Sequence, residues 1–199
     1  MISVPGVRYV PGWLDAAEQG RLVARIDAAA WSGELRRRVQ HYGHRYDYGR
    51  RGVSSDGRSA PVPPIPGWAR PLVARLDEEG HMDRRADQMI VNEYLPGQGI
   101  SAHVDCVPCF GPVVVSVSLL SAVTMDFTDP DGTTRIPVRL EPGSLCVMTG
   151  PARYAWRHAI AARKSDPGPH GRLPRSRRVS ITLRTVLPHS RPAESVTRG

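Results

Sequence analysis

The sequence predicts a single α+β domain that is mainly β, in which helices precede a β barrel or sandwich. Two segments before residue 81 carry apolar residues at helical spacing, whereas short apolar runs alternate with turn residues from Asp87 onward. A length of 199 residues suits one domain with a substantial core and is short for two. We therefore expect residues 1–187 to form the domain and residues 188–199 to form a tail.

The elements are predicted in the following order. A short strand at 7–10 precedes a helix from about 16 to 30, which begins at a capping box formed by Asp15 and Glu18. A second helix is expected at 68–80. The further predicted strands are 88–95, 113–120, 124–128, 134–140, 144–148, 154–160 and 178–186. The Pro-, Gly- and Arg-rich residues 162–177 are predicted to form a flexible basic loop.

The charge of the chain favours a polyanionic partner. The net charge is +8 and the pI is near 10.1, and Lys164 is the single lysine, so arginine supplies almost all of the positive charge. The alternative is that the arginines reflect the base composition of the coding sequence. No apolar run reaches the ~20 residues that span a bilayer, and the three cysteines do not form a disulfide framework. We expect a cytoplasmic monomer with no membrane partner.

A His-x-Asp sequence at 103–105 is the first pattern that carries chemistry. In an extended chain, His103 and Asp105 point to the same side, and two histidines with one carboxylate form a common site for non-haem iron. His158 is a candidate third ligand, although a lone strand histidine is more often structural.

The last predicted strand alternates sharply. Val179, Ile181 and Leu183 share one face, and the opposite face carries Arg178, Ser180, Thr182 and Arg184. Such a polar face could meet water on an outer strand, or its two arginines could bind the ends of a dicarboxylic acid.

These motifs, taken in order, resemble the AlkB-like iron(II)/2-oxoglutarate dioxygenases. The matching residues are Asn92-Glu93-Tyr94, His103-Val104-Asp105, His158 and Arg178-x5-Arg184, and the resemblance covers about residues 7–187. It implies a double-stranded β-helix (jelly roll) buttressed by N-terminal helices. It also implies that the chain uses Fe(II), 2-oxoglutarate and O2 to oxidise a substrate C–H bond.

The resemblance also assigns site residues. His103, Asp105 and His158 would bind Fe(II) and form the catalytic centre. Arg178 would pair with the distal carboxylate of 2-oxoglutarate with help from Asn92 and Tyr94, and Arg184 would lie by the carboxylate at the iron. Ser180 is also assigned to the 2-oxoglutarate site, at a position where many members of the family have Asn.

The substrate is expected to be an alkylated or modified base in tRNA, DNA or other RNA. Segments 95–100, 125–132 and 147–156 look closest to the branch that includes the wobble-uridine tRNA hydroxylases, and Val107 argues against the base contact of the DNA-repair members. The reaction would be demethylation or a stable hydroxylation. The same chemistry on a small molecule or a protein side chain is the alternative.

Residues 35–56 interleave arginines with tyrosines and histidines, which is typical of a surface that stacks on bases and neutralises phosphates. A solvated hairpin with partly packed tyrosines explains the pattern equally well. In the family this region forms a lid over the base. The resemblance therefore implies substrate contacts by Arg38, His41, Tyr42, Tyr46, Tyr48 and Arg51.

Cys106 and Cys109 form a Cys-x-x-Cys pair, which could be half of a zinc site or a redox pair. Because no second pair lies nearby, a structural role is favoured.

Overall fold

The computed structural model describes residues 4–33, 37–44, 46–47, 52–53 and 62–187, and most of its strands belong to two antiparallel sheets. The larger sheet has six strands in the order β1-β10-β7-β14-β5-β2, and the smaller has four in the order β6-β11-β8-β9. Apolar side chains of both sheets share one core, in which Val114 and Met148 of the larger sheet meet Phe127 and Leu140 of the smaller. This is the sandwich that a double-stranded β-helix requires.

The strands of the larger sheet alternate between two environments. In β14, Val179, Ile181 and Leu183 are fully buried against the helices, as their alternation predicts. The strands of this sheet are β1 (Val7–Val10), β2 (Val39–Tyr42), β5 (Gln88–Tyr94), β7 (Phe110–Leu119), β10 (Leu145–Met148) and β14 (Arg178–Val186).

The smaller sheet closes the other side of the sandwich. A turn at Asp129 joins β8 to β9, and the carboxylate of Asp129 accepts from the backbone of Thr133 and Thr134. The strands of this sheet are β6 (Ile100–His103), β8 (Val123–Thr128), β9 (Arg135–Leu140) and β11 (Arg157–Ile160). Two separate hairpins pair β3 (Tyr46–Asp47) with β4 (Gly52–Val53), and β12 (Ser165–Gly168) with β13 (Gly171–Pro174).

The helices cover the outer face of the larger sheet. Helix α1 (Ala16–Asp27) begins at the predicted capping box, in which Glu18 N donates to Asp15 Oδ1 over 2.7 Å. A 3-10 turn (Gly67–Ala69) leads into α2 (Arg70–Glu78), and a short α3 (Gly150–Tyr154) precedes β11. None of the helices in the described residues is long and apolar enough to cross a membrane.

Three expectations need correction. Residues 165–174 form the β12–β13 hairpin and not a loop, because buried Asp166 accepts hydrogen bonds from Arg163 and Arg175 and fixes the segment. The strand predicted at 154–160 begins only at Arg157, because residues 150–154 form α3. Residues 39–42, expected to belong to a lid, form strand β2 of the larger sheet. Residues 34–36, 45, 48–51 and 54–61 of the same region lie outside the described residues.

Candidate active site

His103, Asp105 and His158 converge inside the sandwich. His103 and His158 are direct cross-strand partners in β6 and β11, and Asp105 follows β6 at the next same-facing position. One ligand atom from each side chain lies within 4.8 Å of the others. The two imidazole rings have centroids 4.3 Å apart. The predicted cluster is therefore assembled by one ladder pairing and one i, i+2 spacing.

Hydrogen bonding orients one histidine of the cluster, and burial keeps the other neutral. Nδ1 of His103 lies 2.8 Å from the carbonyl oxygen of Ser101, which can only accept, so Nδ1 donates to it and Nε2 is left to face Asp105. That Nε2 lies 3.7 Å from Oδ1 of Asp105. Burial lowers the pKa of His158 to about 4, which keeps its imidazole neutral. Its Nδ1 is buried and has no hydrogen-bond partner among the described residues.

The carboxylate of Asp105 is held ionised by a neighbouring cation. Burial alone would raise the pKa of Asp105, but the charge of Arg184 and the neighbouring His103 outweigh it and hold that pKa far below its usual range. Arg184 Nη1 lies 3.3 Å from Asp105 Oδ1, and Arg184 Nε donates to Gln88 Oε1 over 3.0 Å. Arg184 therefore lies at the metal end of the site, as predicted.

Arg178 occupies the other end of the same strand. It is 2% exposed, lies 5.4 Å from the ring centroid of Tyr94, and donates from Nη2 to Ser118 Oγ over 2.8 Å. Its Nε and Nη1 are buried without a hydrogen-bond partner among the described residues. Burial lowers the pKa of Arg178 to about 10, which still leaves it charged at neutral pH. An unsatisfied buried cation of this kind is a binding site for a carboxylate.

A cavity of about 920 Å³ joins the two ends. Asn92 and Tyr94 line it from β5, and the register pairs Tyr94 with Arg178 and Asn92 with Ser180. Ser180 is buried and shares a hydrogen bond of 3.0 Å with Ser116 Oγ. All the side chains that the sequence assigns to the metal and to 2-oxoglutarate line this cavity, namely His103, Asp105, His158, Asn92, Tyr94, Arg178, Ser180 and Arg184.

Residues 6–184 match the family model described as the 2OG-Fe(II) oxygenase superfamily. The chain belongs to this superfamily. It is an Fe(II)- and 2-oxoglutarate-dependent dioxygenase, which confirms the predicted enzyme class and the predicted cofactors Fe(II), 2-oxoglutarate and O2.

Relatives of this oxygenase are AlkB homologues. It is 33% identical over 211 residues to the alkylated DNA repair protein ALKBH8 homolog of Arabidopsis thaliana, an alignment that covers 94% of this chain and 60% of the relative. It is 36% identical over 173 residues to the tRNA (carboxymethyluridine(34)-5-O)-methyltransferase ALKBH8 of Macaca fascicularis, covering 81% of this chain and 25% of the relative. The chain thus spans less than two thirds of the length of the first relative and a quarter of the length of the second.

Among solved structures, OsALKBH1 superimposes on this oxygenase with a TM-score of 0.67 at 19% identity, covering 92% of this chain and 97% of the other. This likeness confirms the predicted jelly-roll fold.

The donor set of the oxygenase fits its cofactors. Two imidazoles and one carboxylate on one side of a cavity suit Fe(II), which the cavity would leave accessible to a cosubstrate. The unpaired guanidinium nitrogens of Arg178 suit the distal carboxylate of 2-oxoglutarate. The cavity therefore offers a ligand set for Fe(II) and a guanidinium group for the distal carboxylate of 2-oxoglutarate.

The predicted substrate contacts are distributed differently. Tyr42 faces the helices, where it packs edge-on against Trp68 and donates to Gln40 Oε1 over 3.1 Å. Arg38 pairs with Glu93 on the same side. Neither side chain lines the cavity, because strand alternation places both on the far face of β2 and β5. The structure therefore places these two side chains away from the cavity, and their contact with the substrate stays a prediction.

His41 lies on the opposite face, opposite Ile90, and is buried. Tyr46 contributes backbone to β3, and its side chain lies outside the described residues, as do Tyr48 and Arg51.

Cys106 and Cys109 are joined by a disulfide, with their Cα atoms 5.3 Å apart. The turn that follows Asp105 brings them together, since the Cys109 and Phe110 amides both donate to the Cys106 carbonyl. The pair is thus neither half of a zinc site nor two separate thiols, and the structural role favoured from the sequence fits the disulfide. Cys146 is free and buried.

Sequence reasoning gave no role to Arg153, which holds this turn. Its guanidinium is 2% exposed and donates to backbone carbonyls only a few residues from the metal ligand. The acceptors are the carbonyls of Asp105, Cys106, Phe110 and Gly111. No side-chain pattern could have revealed a partner set made of backbone atoms.

Proposed function

We propose that this oxygenase oxidises alkylated or modified bases in nucleic acid, with tRNA ahead of DNA. The observation that carries the proposal is the cavity, which has a metal-ligand cluster at one end, a carboxylate-binding cation at the other and a connection to a second groove. The net charge of +8 and the names of the two ALKBH8 relatives support a nucleic acid as the substrate.

The second groove supports a polymeric substrate. It has a volume of about 830 Å³ and shares Arg37, Ile100 and Ser101 with the cavity of the metal ligands. Arg135 lines its outer part and remains 60% exposed while it pairs with Asp126. A base that enters the cavity would leave its flanking strand beside this groove, where arginine donors can meet phosphates.

The residues of the site divide the work. When bound together, Fe(II) and 2-oxoglutarate supply the activation of O2, with conversion of the cosubstrate to succinate and CO2 and oxidation of a substrate C–H bond. His103, His158 and Asp105 would hold the metal, and the cavity beside them would receive the cosubstrate. Arg184 keeps Asp105 ionised, and Arg178 would bind the distal carboxylate and thereby set the direction of 2-oxoglutarate.

The position of the oxidised carbon determines the product. Hydroxylation of an N-methyl group gives a hemiaminal, which loses formaldehyde and leaves the demethylated base. Hydroxylation of a carbon substituent on the ring gives a stable alcohol. In both cases the chain's part is to aim one C–H bond at the metal and to exclude water from the buried side.

The proposal is tested by mass spectrometry of nucleosides from tRNA and from methylated DNA after incubation with enzyme, Fe(II), ascorbate and 2-oxoglutarate. We expect a modified nucleoside of tRNA to be consumed in step with succinate formation. His158→Ala should abolish both, because it removes a metal ligand. His170→Ala, which changes an exposed histidine in the β12–β13 turn, is the matched control and should retain both.

Two results would change the proposal. Loss of a methylated base from DNA, with tRNA unaltered, would assign the enzyme to DNA. Succinate formation that no nucleic acid stimulates, but a small molecule or peptide does, would favour the alternative substrate class.

A further inference from the structure

Arg37 and Arg38 lie on opposite faces of strand β5. The neighbouring β2 pairs Val39 with Asn92, and Glu93 N donates to the Arg38 carbonyl over 3.0 Å, so the ladder extends one residue beyond β2. Because side chains alternate along extended backbone, Arg37 turns toward the cavity and Arg38 toward the helices. The two arginines therefore contact β5 from the cavity face and the helix face of the sheet.

On the helix side of the sheet, Glu93 fixes the segment that contains Arg37 and Arg38. Its carboxylate is 2% exposed and accepts from Arg38 Nε and Nη2 over 2.6 and 2.8 Å, and from Arg177 Nε over 2.7 Å. Arg177 continues to Asp27 at the end of α1. Hydrogen bonds from Arg38 hold the pKa of Glu93 below its usual range although burial opposes them. The backbone that carries Arg37 is thus fixed by a bidentate ion pair between half-exposed Arg38 and the buried carboxylate of Glu93.

On the cavity side, Arg37 fixes an amide. Arg37 Nε donates to Asn92 Oδ1 over 3.0 Å, and the guanidinium carbon lies 5.7 Å from the ring centroid of Tyr94. Arg178 lies 5.4 Å from the same ring, so Tyr94 has a cation near it from each arginine. A primary amide has one oxygen that accepts and one NH2 group that donates. With its oxygen engaged by Arg37, Asn92 has its NH2 group left for a ligand in the cavity.

That orientation matters because a carboxylate can only accept. An Asn92 amide turned the other way would present its oxygen to the carboxylate of 2-oxoglutarate and repel it. We propose that Arg37 is a positioning residue for 2-oxoglutarate, which orients the Asn92 amide to donate to the distal carboxylate beside Arg178. The inference rests on the role proposed for Asn92 in binding the cosubstrate, and it does not depend on which substrate is oxidised.

The test is a double-mutant cycle on 2-oxoglutarate binding. The protein is loaded with Mn(II) in place of iron, and 2-oxoglutarate is titrated by calorimetry without nucleic acid. Arg37→Met keeps an unbranched apolar side chain and removes the donor to Asn92. We expect it to weaken 2-oxoglutarate about tenfold, as loss of a hydrogen bond to a charged ligand does. Asn92→Ala should cause a similar loss, and the double variant should be no weaker than Asn92→Ala alone.

Arg37→Lys supplies the conservative comparison, because its ammonium can still donate to Asn92 Oδ1, and it should recover most of the affinity. Arg139→Ala is the matched control, since it removes a surface cation that pairs with Glu141 and lines neither the cavity nor the groove, and it should bind 2-oxoglutarate as the parent chain does. Steady-state kinetics should show the same split, with a raised KM for 2-oxoglutarate in Arg37→Met and a nearly unchanged kcat.

Additive losses in the cycle would overturn the inference, because they would mean that Arg37 acts independently of Asn92. Unchanged binding in Arg37→Met would overturn it as well. If the parent chain binds 2-oxoglutarate and the cycle is non-additive while no base is oxidised, the inference stands and the proposed substrate fails.

Discussion

Arg153 shows how one buried charge can support a metal site without touching the metal. Its donors satisfy backbone carbonyls on both sides of the disulfide turn, including those of Asp105 and Phe110. Burial lowers the pKa of Arg153, and the nearby Asp105 carboxylate opposes this effect. The Arg153 side chain thus fixes the turn that begins at Asp105, the carboxylate of the metal-ligand cluster.

We expect Arg153→Met to lower the free energy of unfolding by about 3 kcal/mol or more, because several buried carbonyls lose a charged donor. The midpoint of urea denaturation measures this change. Affinity for Mn(II) should fall as well, since the position of Asp105 is no longer fixed.

Arg139→Met is the control for this prediction. Arg139 is 38% exposed and pairs with Glu141 on the surface, so its loss should change stability by no more than about 1 kcal/mol. Equal losses of stability in Arg153→Met and Arg139→Met would show that the hydrogen bonds from Arg153 to these carbonyls stabilise the protein no more than a surface ion pair does.

The residue scale is also where sequence reasoning reached furthest. His103 and Asp105 could be proposed as ligands because ligand chemistry restricts residue types and strand alternation restricts spacing. Alternation also put Arg178 and Arg184 on one strand face, but their roles, and the choice of His158, came from the resemblance to AlkB-like dioxygenases. Arg37 was visible only as one of several arginines, because its contact with Asn92 depends on a pairing between segments far apart in the chain.

At the scale of elements, the metal site depends on how closely β6 approaches β11. Gly99 immediately precedes β6, and a Cβ atom there would lie 2.1 Å from the Ile160 carbonyl oxygen and 2.9 Å from Ala162 N. Backbone atoms cannot move away as the end of a side chain can. The close approach of these segments therefore requires glycine at this position.

Gly99→Ala should push the start of β6 away from β11 and separate His103 from His158. We expect at least about a tenfold loss of Mn(II) affinity, which corresponds to about 1.4 kcal/mol, together with a lower melting temperature. Titration followed by electron paramagnetic resonance of free Mn(II) measures the first effect.

Gly20→Ala offers a matched control in helix α1, where an added Cβ meets nothing within 4 Å. It should leave metal binding unchanged and stabilise the protein by up to about 1 kcal/mol through helix propensity. Normal Mn(II) affinity in Gly99→Ala would mean that β6 can adjust without moving its histidine.

Elements in which apolar residues recur at a regular spacing were predicted well. Elements that depend on contacts with other segments were not. The last strand, Arg178–Val186, was predicted at its observed bounds because apolar and polar residues alternate along it. The hairpin of β12 and β13 was missed because its composition is that of a loop, and its order comes from Asp166 bound by Arg163 and Arg175. Strand β2 was missed because its side chains look like those of a solvated surface.

At the scale of the whole molecule, the two faces of the larger sheet have separate tasks. Helices cover one face and form the main core, and the other face supplies the cavity. Overall fold class followed from the order of helices and strands in the sequence. The pairing of β6 with β11 could not be predicted, because no local pattern specifies which distant strand a segment will join.

The charge of the whole molecule predicts a salt dependence. If arginines of the adjoining groove meet phosphates, raising monovalent salt from about 50 to about 200 mM should weaken tRNA binding tenfold or more, given ~3 phosphate contacts. Fluorescence anisotropy with labelled tRNA measures this. Affinity for 2-oxoglutarate in the same buffers gives the comparison, because Arg178 is buried and screened less. Binding that is insensitive to salt would contradict a phosphate-reading surface.

Because His103 pairs directly with His158, a bound metal would also stabilise the fold. Strand β6 is the outer strand of the smaller sheet and is paired to β11, so an ion bound to both histidines cross-links neighbouring strands at the margin of the sandwich. Such an ion stabilises the folded chain by about 2.7 kcal/mol when free metal is a hundred times its dissociation constant. Iron supply would then govern how long the protein survives as well as whether it turns over, because a chain deprived of metal exposes its outer strand to proteolysis first.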